Sequence, residues 1–264
     1  MPELPEVEVM RRYLEAAALE QEIGAVQFYD ELDKIYHNSR AELREALVGA
    51  HFTATERTGK FLFAQTSRGP WLHLHFGMSG TLELFRGDEL PKYTRLTWDF
   101  ASGERLAFRD LRKFGVIALT PSPAEYLRAH GIGTDLLEID LEDFEAALKN
   151  RSVAIKTALL DQKHFAGIGN WIADEMLFDC GLHPQQPCRK LTSDQYRCLW
   201  EAGRRIVETA VQADTHYGDF PADFFVNYRK KGACHPDWPD SPVEKLTVGG
   251  RGTFIVPARQ KKTT

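Results

Sequence analysis

Long apolar runs are missing from this 264-residue chain. None approaches the roughly 18 residues that a membrane-spanning helix requires, so no such helix is expected. No signal-peptide pattern opens the sequence either. Cysteine is scarce: Cys180, Cys188, Cys198 and Cys234 are the only four, and no two form a C-x-x-C pair. That spacing supports neither a disulfide framework nor a four-thiolate metal site, and a reducing, intracellular compartment is the expectation. An overall excess of positive charge is lacking as well, since the net charge is −5. Taken whole, that figure argues against a nucleic-acid partner, but the charge is unevenly spread. From Asn227 to Thr264 there are eight Lys and Arg against three Asp and Glu, a balance of +5 that leaves −10 on the first 226 residues. Phosphate contacts are local, so a basic end on an acidic body is compatible with nucleic acid, as it is with a solvated tail.

What is present divides the chain into a helix, a β-rich stretch, a helical stretch and a second, short β-rich stretch. Leu4, Val7, Met10 and Leu14 recur at helical spacing, which predicts an amphipathic helix from near Pro5 to about Leu19. Short runs of β-branched and aromatic residues follow. In the clearest of them Leu72, Leu74 and Phe76 alternate with His73 and His75, and Leu82 and Leu84 alternate after a break at Met78-Ser79-Gly80. Up to about Leu119 this reads as an all-β unit of antiparallel strands. Pro121 and Pro123 mark a break, and His130-Gly131-Ile132-Gly133-Thr134 reads as part of an interdomain linker. Glu138 to about Gln212 has helical patterning. Strands return after Tyr217, with Gly249-Gly250-Arg251-Gly252 shaped as a hairpin turn. There is no internal repeat. The expected architecture is multi-domain α+β: residues 1–120 an N-terminal helix plus β-sandwich, 121–137 a linker, 138–224 a helical domain, and 225–264 a β-hairpin finger.

The opening Met1-Pro2-Glu3-Leu4-Pro5-Glu6-Val7-Glu8 carries the strongest chemical signal. If Met1 is removed, Pro2 becomes a free secondary amine able to form a cationic iminium with a carbonyl-like carbon. A terminal amine titrates near 7.7–8.0 and a lysine near 10.4, so at neutral pH the terminus has roughly a few hundredfold more of its nucleophilic form. The same string also serves as helix punctuation, with proline and acidic residues in a first turn. Further along, Gly167-Ile168-Gly169-Asn170 joins two helical segments: two glycines admit a close approach, and Asn170 at a helix start offers donors to an anion. Lys60 stands at a strand start in Thr58-Gly59-Lys60-Phe61. Arg109, Arg112 and Lys113 lie among Phe108 and Phe114 near a turn, a mixture that fits phosphate neutralisation plus an apolar wedge, or an ordinary edge hairpin.

These strings occur in one order over almost the whole chain: PELPEVE, TGKF, HFGMSGT, LRKFG, AIKxxLLDQ, FAGIGNWIADEMLF, GLHP and GGRGTFIVP. Together they resemble the formamidopyrimidine-DNA glycosylase/endonuclease VIII family of base-excision repair enzymes. The leucine of PELPEVE favours the formamidopyrimidine side, and GIGNWIADE with FPADFFVNYRKKG is similar to the plant and fungal branch. The resemblance implies a damaged double-stranded DNA substrate and a monomer with no membrane partner, in the nucleoid-associated cytoplasm of a bacterium or the nucleus of a eukaryote. It implies that Pro2 attacks C1′ of the damaged nucleotide, that Glu3 is the general acid/base, and that Glu6 is a supporting acid. Lys60, His75, Asn170 and Arg251 match phosphate contacts, and Lys60 also assists the chemistry. Met78, Arg112 and Phe114 match the trio that fills the gap left by the everted nucleotide. Lys156 to Glu175 spans the helix–two-turn–helix element, with Lys156 and Glu175 as candidate lesion-pocket residues. The implied activity is that of a bifunctional glycosylase and AP lyase acting through a Schiff base with β,δ-elimination.

Two departures qualify the resemblance. Most bacterial relatives carry a C-x-x-C…C-x-x-C zinc finger, where this chain has Cys234, Asp237, Val256 and Arg259. Such residues cannot close a tetrahedral structural site, so a zincless finger with no metal cofactor is expected, packed through Trp238, Phe254 and Ile255. Between Gln212 and Arg229 there is also little room for the loop that caps 8-oxoguanine, which predicts weak action on that lesion compared with ring-opened formamidopyrimidines and hydantoins. Two other readings stay open: a non-catalytic binder of damaged DNA on the same fold, and an unrelated acidic metabolic enzyme with a basic tail.

Overall fold

A computed structural model describes residues 1–29 and 34–262. The contacts divide it into two compact units, one of Met1–Pro2 and Glu6–Gly131, the other of Glu3–Pro5 and Ile132–Thr264. The first helix, α1 (Leu4–Ala18), therefore begins in the second unit and continues in the first.

The first unit holds β1 (Ile23–Phe28), α2 (Arg40–Leu47), β2 (Phe52–Thr58), β3 (Phe61–Thr66), β4 (Trp71–His75), β5 (Gly80–Phe85), β6 (Thr94–Phe100), β7 (Arg105–Asp110), β8 (Val116–Thr120) and α3 (Pro123–Ala129). They form two four-stranded antiparallel sheets, ordered β1-β6-β7-β5 and β2-β3-β4-β8. A single core joins Val7 and Leu14 of α1 with Val26, Trp98 and Phe108 of one sheet and Phe52, Leu62 and Leu74 of the other, as a sandwich requires. Ser39 caps α2 in a reciprocal capping box with Glu42. Ser122 caps α3, which lies within the 121–137 stretch that the sequence assigns to a linker.

The alternation at β4 is real, but its second face is not solvent. Leu72 and Leu74 enter the sandwich core, while His73, with no exposed surface, lies among Phe61, Phe63 and Tyr126 of α3. Burial is the main reason its imidazole is held down at about 3, and His75, His130 and His37 add to the effect. His73 is thus neutral, and neither ring nitrogen has a partner among the described residues.

The second unit contains β9 (Thr134–Asp135), α4 (Leu141–Lys149), α5 (Ile155–Leu159), β10 (Phe165–Ala166), α6 (Asn170–Asp179), α7 (Ser193–Gln212), β11 (Glu244–Val248) and β12 (Arg251–Ile255). Its core gathers Leu4, Phe144, Leu159, Ile172, Met176, Leu199 and Ile206. In α6 every residue from Trp171 to Phe178 is buried, so this helix is enclosed all round. β11 and β12 pair as an antiparallel hairpin. A smaller core of Phe178, Phe225, Val243 and Val256 lies beneath it, with Trp238 and Phe254 packed against that core.

One cysteine expectation is corrected. Cys180, the residue that closes α6, forms a disulfide with Cys198 of α7. Their spacing of 18 residues carried no signal, because helix packing, and not a local motif, sets their Cα atoms 5.9 Å apart. Cys188 and Cys234 are free thiols. Alkylation of denatured protein without reductant should therefore label two of the four cysteines, and of native protein only the exposed Cys234. Reduction should lower stability by about 3 kcal/mol, the loop-closure value for a short bridged loop, read as a drop in melting temperature.

Candidate active site

The second unit explains why Gly167 and Gly169 flank Ile168. Glu3, only 3% exposed, turns its carboxylate onto the start of α6: Oε1 accepts the Trp171 N–H at 3.0 Å and Oε2 the Ile172 N–H at 3.2 Å. Gly169, the N-cap residue, contributes no side-chain cap of its own, so Glu3 serves that end of the helix from 166 residues upstream. A Cβ on Gly169 would lie 2.0 Å from the Glu3 carboxyl carbon, and one on Gly167 would lie 2.6 Å from Leu4. The anion that the glycine turn admits is the protein's own carboxylate, set where the helix dipole favours negative charge.

At the same end of α6, Asn170 Nδ2 donates to Gly252 O of the finger hairpin at 3.0 Å. Lys156, with no exposed surface, donates from Nζ to Asp174 Oδ1 at 2.6 Å, Thr253 Oγ1 at 2.8 Å and Gly252 O at 3.3 Å. Arg229 donates twice to Asp174 Oδ2, from Nε at 3.0 Å and from an Nη at 2.8 Å. Burial pulls the Lys156 ammonium below its ordinary range, while Asp174 acts in the opposite direction. Asn170, Lys156 and the strand that begins with exposed Arg251 are thus brought together.

Glu175 points elsewhere. Its oxygens accept the N–H groups of Phe225 at 2.7 Å and Val226 at 2.6 Å, and burial lifts its carboxyl to about 7 in spite of those donors. Lys156 and Glu175, read from the resemblance as candidate pocket residues, both have their polar atoms engaged inside the unit. Sequence reasoning missed Asp174 and Arg229, which look like ordinary helix and tail charges until the fold pairs them.

In the first unit Lys60 follows Gly59 at the β2–β3 turn and is 8% exposed. Phe61, beside it, pairs with His75 across β3 and β4. His75 Nδ1 accepts the Gly77 N–H at 3.1 Å, so this imidazole is neutral and its proton is on Nε2. Burial, then the charge of Lys60, holds it near 4. Glu8 is a further missed residue. It binds Arg11 and Arg12 on its own helix and Arg57 on β2, and Arg57 also donates to Gly59 O at 3.3 Å. The last acid of PELPEVE thereby braces the turn that carries Lys60. Although burial opposes it, the pairing with Arg11 and Arg57 brings the Glu8 carboxyl down to about 2. Met78 and Phe114 are exposed, at 40% and 55%, and the Arg112 guanidinium lies 5.2 Å from the Phe114 ring centre.

The finger does not fit a structural zinc. Cys234 is exposed. His235 Nδ1 accepts the Asp237 N–H, and its Nε2 lies 2.9 Å from Asp223 O. Val256 is wholly buried, and Arg259 binds the Phe178 and Asp179 carbonyls at the C-terminus of α6. Among the described residues no cluster of three or more His, Cys, Asp or Glu could hold a metal.

Residues 1–117 match the formamidopyrimidine-DNA glycosylase N-terminal domain, and residues 132–220 match the H2TH domain of the same enzymes. The formamidopyrimidine-DNA glycosylase of Ligilactobacillus salivarius is 33% identical over 98% of this chain and 99% of its own. The chain belongs to the formamidopyrimidine-DNA glycosylase family. The Arabidopsis thaliana member is 31% identical over 99% of this chain and 71% of its own. The Lactococcus lactis enzyme, solved non-covalently bound to DNA containing an AP site, superposes with a TM-score of 0.89 at 27% identity, over 99% of this chain and all of that one.

In a member of this family whose Glu3 caps α6, Gly169→Ala should force the carboxylate off its two amides. The expected loss is about 1–3 kcal/mol of stability, the range for overpacking, read by chemical denaturation. Gly218→Ala, where an added Cβ would meet nothing within 4 Å, should stay within about 0.5 kcal/mol of the parent.

Proposed function

We propose that this DNA glycosylase of base excision repair is bifunctional, removing an oxidised base and then cutting the strand as an AP lyase with Pro2 as nucleophile. The observation that carries the reading is the placement of Glu3. Its carboxylate is fixed on the Trp171 and Ile172 amides in the residue directly bonded to Pro2, so an acid/base group is held immobile next to the amine. Preorganisation of that kind lowers the cost of reaching the transition state.

Once Met1 is removed, the Pro2 nitrogen attacks C1′ and the glycosidic bond breaks, with the base leaving. The Glu3 carboxylate takes the proton that the Pro2 nitrogen sheds and passes it to the sugar ring oxygen, the ring opens, and a C1′–nitrogen iminium forms. The iminium acidifies the C2′ proton. Its loss expels the 3′ phosphate, a second elimination expels the 5′ phosphate, and water hydrolyses the remaining Schiff base to free Pro2. A base inside the stack hides C1′, so the nucleotide must first be everted, at a cost of roughly a few kcal/mol. Met78, Arg112 and Phe114 fill the gap, and their exposure supports that role. Lys60, His75, Asn170 and Arg251 contact phosphates. His75, being neutral, does so as a hydrogen-bond donor and not as a cation. Glu6 supports the acid chemistry. Lys156 and Glu175 act on the lesion through the segments they hold.

The segment from Ala213 to Tyr228 supports a narrow lesion range. Phe220, Phe224 and Phe225 are buried, and Glu175 holds the Phe225 and Val226 amides, so this stretch is folded down onto the helical core. Ring-opened formamidopyrimidines and hydantoins are the proposed substrates, with 8-oxoguanine a weak one.

Borohydride trapping on abasic duplex tests the chemistry. Protein with Met1 removed should become covalently linked to DNA and Met1-retaining protein should not, because its Pro2 nitrogen is a tertiary amide. Trapping of the Met1-retaining form would refute Pro2 as nucleophile, and no trapping of either form would favour a non-catalytic binder. On the same gels, equal turnover of 8-oxoguanine and formamidopyrimidine duplexes would refute the lesion range.

The finger is proposed to be metal-free, closed by Val256 in its core and by Arg259 on the end of α6. Elemental analysis of the purified protein should find no stoichiometric zinc, and chelator should leave DNA binding unchanged. One zinc per chain would overturn the reading.

A further inference from the structure

Met78 and the pair Arg112 and Phe114 belong to different loops, the first between β4 and β5 and the second between β7 and β8. Side chains that enter one gap together must keep a fixed separation, which independent surface loops do not ordinarily provide. Here the loops share a buried carboxylate. Asp110, the last residue of β7, has no exposed surface. Its Oδ1 accepts the Ser79 hydroxyl at 2.5 Å and the Arg112 N–H at 3.1 Å, while its Oδ2 accepts the Gly115 N–H at 2.8 Å. Ser79 Oγ in turn accepts the Arg112 N–H at 3.0 Å. The backbones meet as well: Gly77, at φ +57°, sits so close that a Cβ there would lie 2.4 Å from the Phe114 carbonyl carbon. A carboxylate beside residues meant to approach phosphates is repelled by a DNA backbone, and each of its described hydrogen bonds goes to its own two loops.

We infer that Ser79 and Asp110 are positioning residues, coupling the Met78 turn to the Arg112–Phe114 loop so that the three side chains enter the duplex as one preassembled wedge. The inference rests on the proposed gap-filling role of that trio. The ordering of the loops is then met on folding and not on binding, which speeds the opening step.

The test follows unstacking directly, with 2-aminopurine placed beside a tetrahydrofuran abasic analogue in duplex DNA and read by stopped-flow fluorescence. Ser79→Ala removes the hydrogen-bonded link between the loops while leaving Met78, Arg112 and Phe114 in the chain. The fluorescence rise should slow by roughly 10- to 100-fold, the size expected for an ångström-scale misplacement. Asp110→Asn is the conservative companion. An amide offers one acceptor atom in place of two, so Ser79 must reverse its hydroxyl to be served, and an intermediate slowing is expected. Borohydride trapping on single-stranded abasic DNA, where no gap has to be filled, should match the parent for both variants. Unaltered unstacking in Ser79→Ala and Asp110→Asn would overturn the coupling, as would parallel loss of duplex unstacking and single-strand trapping, which marks a general folding defect. Unstacking precedes covalent chemistry, so the two readings fail separately. A parent that unstacks DNA but is never trapped refutes the Schiff base and leaves the coupling to stand or fall on the fluorescence. A Met78→Ala variant that unstacks as fast as the parent refutes the wedge, and the coupling with it.

Discussion

The carboxylate of Glu3 on the first free amides of α6 is the constraint around which the second unit is arranged. It satisfies two N–H groups that the helix leaves open, at an end where Gly169 has no side chain to offer. The approach is close enough to dictate glycine at 169, and it draws Leu4 into the helical core. A carboxylate with both oxygens engaged and 3% exposure has little freedom to wander, so stability and the proposed chemistry make the same demand on this residue. The helix it caps is buried along nearly its whole length, and its far end is fixed to α7 by the Cys180–Cys198 bridge and to the C-terminal segment by Arg259.

A common device recurs in both units: a buried or half-buried acid collects donors from segments distant in sequence. Asp110 gathers two loops, Glu8 ties helix to strand, and Asp174 holds Lys156 and Arg229 against the hairpin. Removing one partner of the fully buried Lys156–Asp174 pair leaves a charge without compensation, at a cost of about 3–5 kcal/mol. The same contacts hold the hairpin. Val256 and Phe178 supply apolar area beneath it, and the Lys156–Asp174–Arg229 group supplies direction above.

The family was legible in the sequence because the strings that carry the proposed chemistry are uncommon. Pro2 and Glu3 follow the initiator directly, Lys60 and Asn170 stand beside glycines, and Arg251 follows the Gly249-Gly250 hairpin turn. The alternation at β4 correctly sent Leu72 and Leu74 inward. It could not show that His73 is buried as well, since Tyr126, the ring that covers it, comes from α3 some 50 residues later in a stretch that reads as linker. The glycines at 167 and 169 announced a close approach without saying to what, because the answer lies at the other end of the chain. Glu8, Asp110, Asp174 and Arg229 were passed over for a related reason: a charged residue reads as solvated until the fold reveals its partner. The disulfide was hidden in the same way, by a helix-to-helix distance that no local spacing encodes.

The buried cluster at the base of the hairpin also bears on how this protein can change over time. Lys156, Asp174, Arg229 and Thr253 lie far apart along the chain yet share one set of hydrogen bonds. A lone replacement at any of the charged three leaves the others without their partner, whereas a concerted swap to apolar residues would not. Substitution at one of these positions is therefore constrained by what stands at the others.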